Sequence, residues 1–276
     1  MDNKKKGDIF EKARVVNSIE ECEFYHYMDL PNDGEVKGKW DLRSGVDEYL
    51  GNVNFKNKKV LEFGTCSGFL CFEMEKRGAE VIAFDISEKV EWDMVPYAQY
   101  DYKKRIEEFK EYANRFKNAF WYSHNALKSK AKVIYGSVYK VPNEIGIVDI
   151  GTCCSILLHL RDPFYALENL VKFVKETVIV TDLLPSSKAI KKSNSLINKF
   201  LKRKKSNEFP YMEFLPNHKT IIHKDAWWTL SPEIVVRFLG ILGFEDTKII
   251  YHTKKLYGNN IKLFTVVGNR TSGNTI

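Results

Sequence analysis

Two glycines and two acids mark the part of this chain whose residue types and spacing are best suited to chemistry. Glu62, Gly64 and Gly68 follow a short apolar run, and a helical pattern begins directly after Gly68. A glycine turn between a strand and a helix lets backbone N–H groups approach a ligand closely. Asp85 ends the next apolar run, where a carboxylate can accept hydrogen bonds from both hydroxyls of a ribose. The order of strand, turn, helix, strand and acid predicts a nucleotide-binding site.

The spacing of the glycines argues against a dinucleotide as the ligand. A dinucleotide-binding turn reads G-x-G-x-x-G, whereas Gly64 and Gly68 enclose three other residues. The carboxylate of Glu62 would repel a pyrophosphate. Glu62 is better suited to a cationic ligand, or to fixing the turn by accepting hydrogen bonds from backbone N–H groups. The alternative is a purely structural glycine turn in another kind of α/β protein.

The E-x-G-x-x-x-G pattern from Glu62 to Gly68 resembles motif I of the class I S-adenosylmethionine-dependent methyltransferases. This resemblance implies S-adenosyl-L-methionine as the cofactor. It also implies that the cofactor contacts the turn and the residues that follow the neighbouring strands. The implied cofactor-binding residues are Arg43, Glu62, Phe63, Gly64, Thr65, Gly68, Asp85, Ile86, Ser137, Val138 and Cys153.

One of these positions departs from the pattern of the family. Methyltransferases commonly place Gly-Asp after the third strand, where the acid binds the adenine amino group, but here Ser137 follows Gly136. The Ser137 hydroxyl can accept the same hydrogen bond, or the backbone of Val138 can supply the contact. Ile86, directly after Asp85, is expected to pack on the face of the adenine.

His159 lies in the second segment suited to chemistry, which reads as a buried strand, a short loop and a helix that starts at Pro163. The segment resembles the H-x-x-D-P stretch of ubiquinone-type O-methyltransferases and the L-x-H-x-R-x-P style of the tRNA wobble-uridine carboxymethyltransferase relatives. In that fold the carboxyl end of this strand faces the sulfonium and the substrate. His159 is therefore the predicted general base, with a structural role in shaping the loop as the alternative.

Trp40, His124, Asp182 and Trp228 are further candidates for the site, and Arg43 is named again because of its spacing to Trp40. Trp40 and Arg43 resemble a W-x-x-R entrance element, in which the arginine would hold the methionyl carboxylate; an ordinary surface arginine is the alternative. His124, near the end of a predicted long helix, and Asp182, at the tip of the fifth strand, are candidates for substrate contact. Trp228 belongs to the region that covers the active site in this family, so it is also a candidate for substrate contact.

Short apolar runs and amphipathic segments alternate along the chain and must position these residues. The predicted strands are residues 60–63, 81–84, 133–135, 147–154 and 178–181, and the predicted helices are residues 68–77, 102–128 and 163–175. Strands that are joined by helical crossovers favour a parallel sheet. A further helical stretch is expected from Trp40 to Leu50.

The end of the chain predicts a helix and a hairpin. Ser231 is suited to cap a helix that begins at Pro232 and ends before Gly243. The segments 247–252 and 261–268 then flank a loop, which is typical of an antiparallel hairpin. This ending resembles that of the methyltransferase sheet. The predicted fold is α/β, a Rossmann-like, doubly wound and mostly parallel seven-stranded sheet with a C-terminal antiparallel hairpin.

The chain has 276 residues, of which 44% are hydrophobic, enough for a sizeable core. We expect an N-terminal cap segment over residues 1–50 and one methyltransferase domain over residues 51–270, with a basic insertion at about 185–216. Basic residues from 188 to 205 carry much of the net charge of +7. They favour contact with an acidic substrate, RNA or a membrane surface, and a solvated insertion is the alternative.

The cysteines and the hydropathy pattern predict the compartment. The five cysteines are odd in number and include no C-x-x-C pair, so they are interpreted as reduced core residues without a metal. No apolar run reaches the length of about 18 residues that a membrane span requires. The N-terminus is polar and does not resemble a signal peptide, so a cytoplasmic location is expected.

Three hypotheses for the function follow. The first is methyl transfer from S-adenosyl-L-methionine to an oxygen or nitrogen of a small molecule or glycan precursor. The second is an RNA-modifying transferase of the same fold, favoured by the basic insertion and by the wobble-uridine resemblance. The third is a non-catalytic binding module that retains the fold. The acceptor and the oligomeric state are left open by the sequence.

Overall fold

Twelve strands and five α-helices make up the computed structural model, which describes residues 9–185 and 209–273. The strands are β1 (Met28–Leu30), β2 (Gly34–Val36), β3 (Trp40–Asp41), β4 (Lys59–Phe63), β5 (Glu80–Ile86), β6 (Lys132–Gly136), β7 (Val148–Cys154), β8 (Val174–Leu183), β9 (Met212–Phe214), β10 (Trp228–Leu230), β11 (Asp246–Leu256) and β12 (Asn259–Asn269). The helices are α1 (Val46–Tyr49), α2 (Phe69–Lys76), α3 (Tyr102–Ala126), α4 (Pro163–Val171) and α5 (Pro232–Ile241). Short 3-10 helices lie at Ile19–Glu21, Asn143–Ile145 and Leu157–His159.

The central sheet has the strand order β3-β11-β12-β8-β7-β4-β5-β6. The five strands from β8 to β6 are parallel, β12 pairs antiparallel with β8, and β11 pairs antiparallel with β12. The predicted Rossmann-like sheet with a C-terminal hairpin is therefore confirmed. Its order reverses between β4 and β7, and the carboxyl ends of strands at such a switch point form the usual ligand crevice.

The predicted number of strands was wrong, because the sheet has eight strands instead of seven. Trp40 and Asp41 pair with Leu256 and Lys255 at the far edge, so the N-terminal part of the chain adds a short strand to the sheet. The predicted helical stretch from Trp40 was wrong for the same reason. Helix α1 starts only at Val46, and the boundary of the cap segment at residue 50 stays a prediction.

The C-terminal hairpin is longer than predicted. A two-residue turn of Tyr257 and Gly258 joins β11 and β12, and both residues have positive φ angles, 47° and 78°. Two positive φ angles are the requirement of a type I′ turn, whose twist matches that of the flanking strands. Pairing therefore continues from Leu256 and Asn259, next to the turn, to Asp246 and Asn269 at the far end.

Helix α5 begins at the predicted cap, whereas α4 is shorter than predicted. The Ser231 hydroxyl accepts a hydrogen bond from the backbone N–H of Ile234, and Pro232 is the first residue of α5, as predicted. Helix α4 was predicted to reach Lys175 but ends at Val171. The shorter helix leaves room for β8, which begins at Val174 and needs an extended backbone.

The two faces of the sheet carry separate apolar cores. Alternate residues of β4 show the arrangement, because Val60 packs with α2, α3 and the N-terminal segment, whereas Leu61 packs with α4 and α5. Helices on both faces are the layout of a doubly wound fold. All five cysteines are free thiols, and Cys22, Cys71 and Cys153 are buried. None of the described helices is long and apolar enough to cross a membrane.

Gly68 shows how tightly α2 packs against α3. It precedes α2 with a φ angle of 89°, and a Cβ placed there would lie 2.6 Å from Phe72 and 2.7 Å from Phe120. We expect Gly68→Ala to lower the free energy of unfolding by about 2 kcal/mol, because strain from a positive φ angle and overpacking act together.

A matched control separates the two causes. Gly258 has a φ angle of 78° but no atom within 4 Å of a Cβ placed there, so Gly258→Ala tests the φ strain alone. The expected loss for this variant is about 1 kcal/mol in urea-induced unfolding. Equal losses for the two variants would show that the contacts with Phe72 and Phe120 contribute nothing.

Candidate active site

A pocket of about 290 Å³ opens at the carboxyl ends of β4, β5, β6 and β7. It lies at the switch point of the sheet, and four different strands bring residues to it. The predicted site residues that line it are Gly64, Thr65, Asp85, Ile86, Ser137, Val138 and His159. The structure therefore brings the glycine turn and the predicted base into one cavity.

Asp85 fixes the shape of the glycine turn. Its Oδ2 accepts a hydrogen bond of 2.6 Å from the backbone N–H of Cys66, and its Oδ1 accepts one of 2.7 Å from the N–H of Ile86. Cys66 itself has a φ angle of 51°, a strained conformation that the surrounding bonds hold in place. Each carboxylate oxygen keeps a second lone pair for a ligand. Burial raises the pKa of Asp85, although the two N–H donors and the Lys117 ammonium oppose the rise.

Glu62 is a buried acid beside the turn. Its side chain is 2% exposed, and within the described residues its Oε2 has no hydrogen-bond partner. Burial raises the pKa of Glu62 to about 8, and the negative charge of Asp85 adds to the rise. Glu62 does not line the pocket, yet an orphaned buried oxygen costs free energy unless a ligand or a proton compensates it. A cation bound near the turn would stabilise the ionised form.

His159 reaches the pocket from the 3-10 helix after β7. Its Nδ1 lies 2.6 Å from the main-chain oxygen of Asp225. A carbonyl oxygen only accepts hydrogen bonds, so Nδ1 carries the hydrogen and Nε2 of the neutral ring is left with a free lone pair. The fold thus selects the tautomer in which Nε2 can take a proton from a substrate.

Two segments meet above this end of the pocket. Val95 donates from its N–H to the oxygen of Lys224 at 2.9 Å, and the indole N–H of Trp227 donates to the oxygen of Asp93 at 2.6 Å. Val95, Tyr97 and Trp227 form a small apolar cluster between the segments. These contacts connect the stretch after β5 to the stretch before β10 and shield the site from water.

Several lining residues were not predicted from the sequence. Tyr25, His26 and Tyr49 come from the N-terminal segment, and Asp225 comes from the stretch before β10. The run of aromatic residues around Tyr25 was the available signal for the first group. Asp225 offered no signal of its own, because its place depends on contacts distant in sequence.

The structure does not bring Arg43 to the pocket. Its guanidinium forms ion pairs of 2.9 Å with Asp29, Glu35 and Asp41 and lies over the ring of Tyr27. Three carboxylates already surround this cation, so a methionyl carboxylate has no access to it here. The entrance element predicted from W-x-x-R instead contributes its tryptophan, Trp40, to the pocket wall.

The remaining predicted residues also lie outside the lining. Phe63 and Cys153 are buried in the core, and Gly68 is the residue before α2. The ring of His124 pairs through Nε2 with the oxygen of Ala131 at 3.1 Å. Cys154 lines the pocket where Cys153 was predicted, because successive strand residues point to opposite faces.

Asp182 and Trp228 complete the set of predicted residues outside the pocket lining. Asp182 is 2% exposed and accepts a hydrogen bond from the N–H of Leu183, and burial raises its pKa to about 7. Trp228 donates its indole N–H to the oxygen of Arg161 at 3.1 Å. Trp228 therefore supports the loop that carries His159, and Asp182 is a buried acid outside the pocket lining.

Comparison with known proteins agrees with this architecture. No protein-family model and no curated protein sequence matches the chain. A putative methyltransferase (BH2331) from Bacillus halodurans C-125 is similar in structure, with a TM-score of 0.51 and 13% identity over 83% of this chain and 100% of that one. Magnesium protoporphyrin IX methyltransferase (ChlM) from Synechocystis PCC 6803 with bound SAH has a TM-score of 0.49 and 13% identity over 83% and 82% of the two chains.

The strand order, the pocket at the switch point and the likeness to the Bacillus protein together define the fold. The chain has the Rossmann-like fold of the class I S-adenosylmethionine-dependent methyltransferases. At 13% identity the likeness establishes the fold and leaves the chemistry to the residues of the pocket.

Proposed function

We propose that this protein is an S-adenosylmethionine-dependent methyltransferase that acts on an oxygen or nitrogen of a small molecule or glycan precursor. The observation that carries the proposal is the hydrogen bond from His159 Nδ1 to the Asp225 oxygen, in the same pocket as the Asp85-bound turn. One cavity thus holds the acid of the turn and a histidine whose Nε2 can accept a proton.

The residues present fit this cofactor. Asp85 would offer its remaining lone pairs to the two ribose hydroxyls, and Ile86 and Val138, which line the same pocket, would pack against the adenine. The orphaned Oε2 of Glu62 fits a group that carries positive charge. When bound, the cofactor supplies a methyl group on a positively charged sulfur.

The chain contributes alignment and the removal of one proton. His159 Nε2 accepts the proton of the acceptor group, while the Asp225 carbonyl keeps Nδ1 protonated and the ring in place. The pocket walls would hold the acceptor and the cofactor in a fixed relative position, and such positioning accounts for much of the rate of a displacement. Trp92 and Trp227, each less than 9% exposed, help to exclude water.

The other two hypotheses stay predictions. The basic residues from 188 to 205, on which the RNA hypothesis depends, lie outside the described residues. A binding module without activity would retain the pocket but would not need the selected tautomer of His159. Labelled methyl transfer to RNA or to small molecules separates these cases.

Isothermal titration with S-adenosylmethionine and S-adenosylhomocysteine tests the cofactor. We expect both to bind, and we expect Asp85→Ala to weaken binding of S-adenosylhomocysteine about 5- to 150-fold, equivalent to about 1 to 3 kcal/mol, because charge-assisted hydrogen bonds to the ribose are lost. Asp246→Ala is the matched control, since Asp246 lies at the exposed start of β11.

The failure of this experiment has a clear meaning. If the folded wild-type protein bound neither compound, the methyltransferase proposal would be wrong. Unchanged affinity in a folded Asp85→Ala variant would show that another group holds the ribose.

A further inference from the structure

The pocket has more acidic than basic residues in its lining. Glu91, Asp93 and Asp225 line it, in addition to Asp85 at the turn. Lys117 is the lysine of the lining, and its ammonium is already paired with Glu88 at 3.0 Å. A positively charged acceptor therefore fits this pocket better than an anionic one.

Asp225 is placed to bind the acceptor directly. Its main-chain oxygen holds His159, while its carboxylate makes no hydrogen bond or ion pair with the described residues. Tyr25, which lines the pocket as well, is near enough to feel the charge of this carboxylate. Burial raises the pKa of the Tyr25 hydroxyl to about 12, and the charge of Asp225 adds to the rise. The residue that fixes the base thus also presents a free carboxylate beside it.

Unlike the carboxylate of Asp225, the carboxylate of Asp93 already has hydrogen-bond partners within the protein. Its Oδ2 accepts hydrogen bonds from the Tyr139 hydroxyl and from the backbone N–H of Arg161. The guanidinium of Arg161 lies over the ring of Trp227, and its side chain is 51% exposed. Arg161 does not line the pocket, so it offers no partner there to a phosphate or a carboxylate.

His26 provides a second and independent sign of a ligand. It lines the same pocket and is 7% exposed, and its Nδ1 has no hydrogen-bond partner in the described part of the chain. Burial lowers the pKa of His26 to about 3, so the ring is neutral. A neutral imidazole accepts a hydrogen bond from an N–H group and does not neutralise an anion.

We infer that the methyl acceptor is the amine of a small molecule, bound as its ammonium form by the carboxylate of Asp225. This inference rests on the proposed function and narrows its acceptor from oxygen or nitrogen to nitrogen. His159 Nε2 takes one proton from the ammonium and frees the nitrogen lone pair. The lone pair forms the new N–C bond as the C–S bond breaks, and the electrons of that bond stay on sulfur.

The charges balance through this step. Before the transfer, the ammonium and the sulfonium carry one positive charge each. After it, the methylated ammonium and the protonated His159 carry one each, and the sulfur is a neutral thioether. The proton then passes from His159 to water. Asp225 stabilises the positive charge on the acceptor before and after transfer.

Matched pairs of amine and alcohol test the inference. Protein saturated with S-adenosylhomocysteine is titrated with tyramine and tyrosol, glucosamine and glucose, and cyclohexylamine and cyclohexanol. We expect the amine to bind at least about tenfold more tightly than its alcohol in one pair or more. In Asp225→Asn this preference is expected to fall to about one, whereas Glu213→Gln, a carboxylate on β9 outside the pocket, retains it.

Each outcome decides the question. The inference is overturned if the amines bind no better than their alcohols, whether both bind or neither does. It is also overturned if the preference for the amine is retained in Asp225→Asn. Tighter binding of a short RNA than of every amine also overturns it. Melting temperatures of the variants show whether they fold. Binding of S-adenosylhomocysteine is measured first, so that its failure counts against the proposed function and its success isolates the acceptor.

Discussion

His159→Ala is expected to lower the turnover number by about two to four powers of ten and to leave the affinity for S-adenosylhomocysteine unchanged. The variant removes the Nε2 lone pair of a residue that lines the pocket, while the turn and Asp85 stay as they are. Turnover is measured as transfer of labelled methyl from S-adenosylmethionine to the acceptor that binds most tightly. His124→Ala is the control, because His124 lies outside the pocket.

A base and a structural histidine give different results in two further measurements. Added imidazole can enter the space left in His159→Ala and restore part of the turnover if the missing group is a base. His159→Gln retains a side-chain donor for the Asp225 oxygen but has no basic nitrogen, so it is expected to be as inactive as the alanine variant. Full activity of His159→Gln would leave His159 a structural role.

The part of the site that could be predicted from the sequence is the part built by the parallel strands. Asp85 lies near the end of β5, whereas Gly64, Ser137 and His159 come after β4, β6 and β7. The carboxyl ends of neighbouring parallel strands meet at one edge of a sheet. Their common place follows from the order of the elements alone. The same reasoning predicted the fold, because alternating strands and helices leave few topologies.

The rest depends on contacts that no local pattern encodes. Arg43 was predicted from its spacing to Trp40, but the carboxylates that occupy it lie on β1, β2 and β3, and only the folded chain brings them together. Asp225 reaches His159 across 66 positions of the chain. Cys153 and Cys154 differ only in the direction of a strand side chain, and the sequence leaves that direction undecided when both faces are apolar.

Glu62 links the stability of the protein to the ligand of the pocket. Its pKa rises from 4.5 to about 8 on folding, mainly through burial, so the folded state holds this proton more tightly than the unfolded state. The stabilising contribution is complete below pH 4.5 and is lost as the pH rises through 8. Asp182, with a pKa of about 7, acts in the same direction.

Glu62→Gln is therefore expected to flatten the dependence of stability on pH. Between pH 5 and 7 the wild-type protein loses about 3 kcal/mol of unfolding free energy through Glu62, at about 1.4 kcal/mol for each pH unit, and the glutamine variant lacks this loss. Urea-induced unfolding at pH 5, 6 and 7 measures the difference. Asp182→Asn is the matched control, because it removes a second buried acid and leaves the slope due to Glu62 in place.

Glu62 should affect cofactor binding and protein stability in opposite directions as the pH rises: stability falls, whereas affinity for the cofactor increases. S-adenosylmethionine carries positive charge on its sulfur, and a cation near the turn favours ionised Glu62. Binding of S-adenosylmethionine therefore releases a proton, and its affinity rises as the pH increases toward 8. In Glu62→Gln the affinity is lower and independent of pH over this range. A glutamine variant that binds as tightly as wild type at pH 8 would show that Glu62 only fixes the turn. Isothermal titration in two buffers of different ionisation enthalpy measures the number of protons released on binding. A Glu62 that contacts the cofactor releases its proton, whereas a Glu62 that only fixes the turn keeps it.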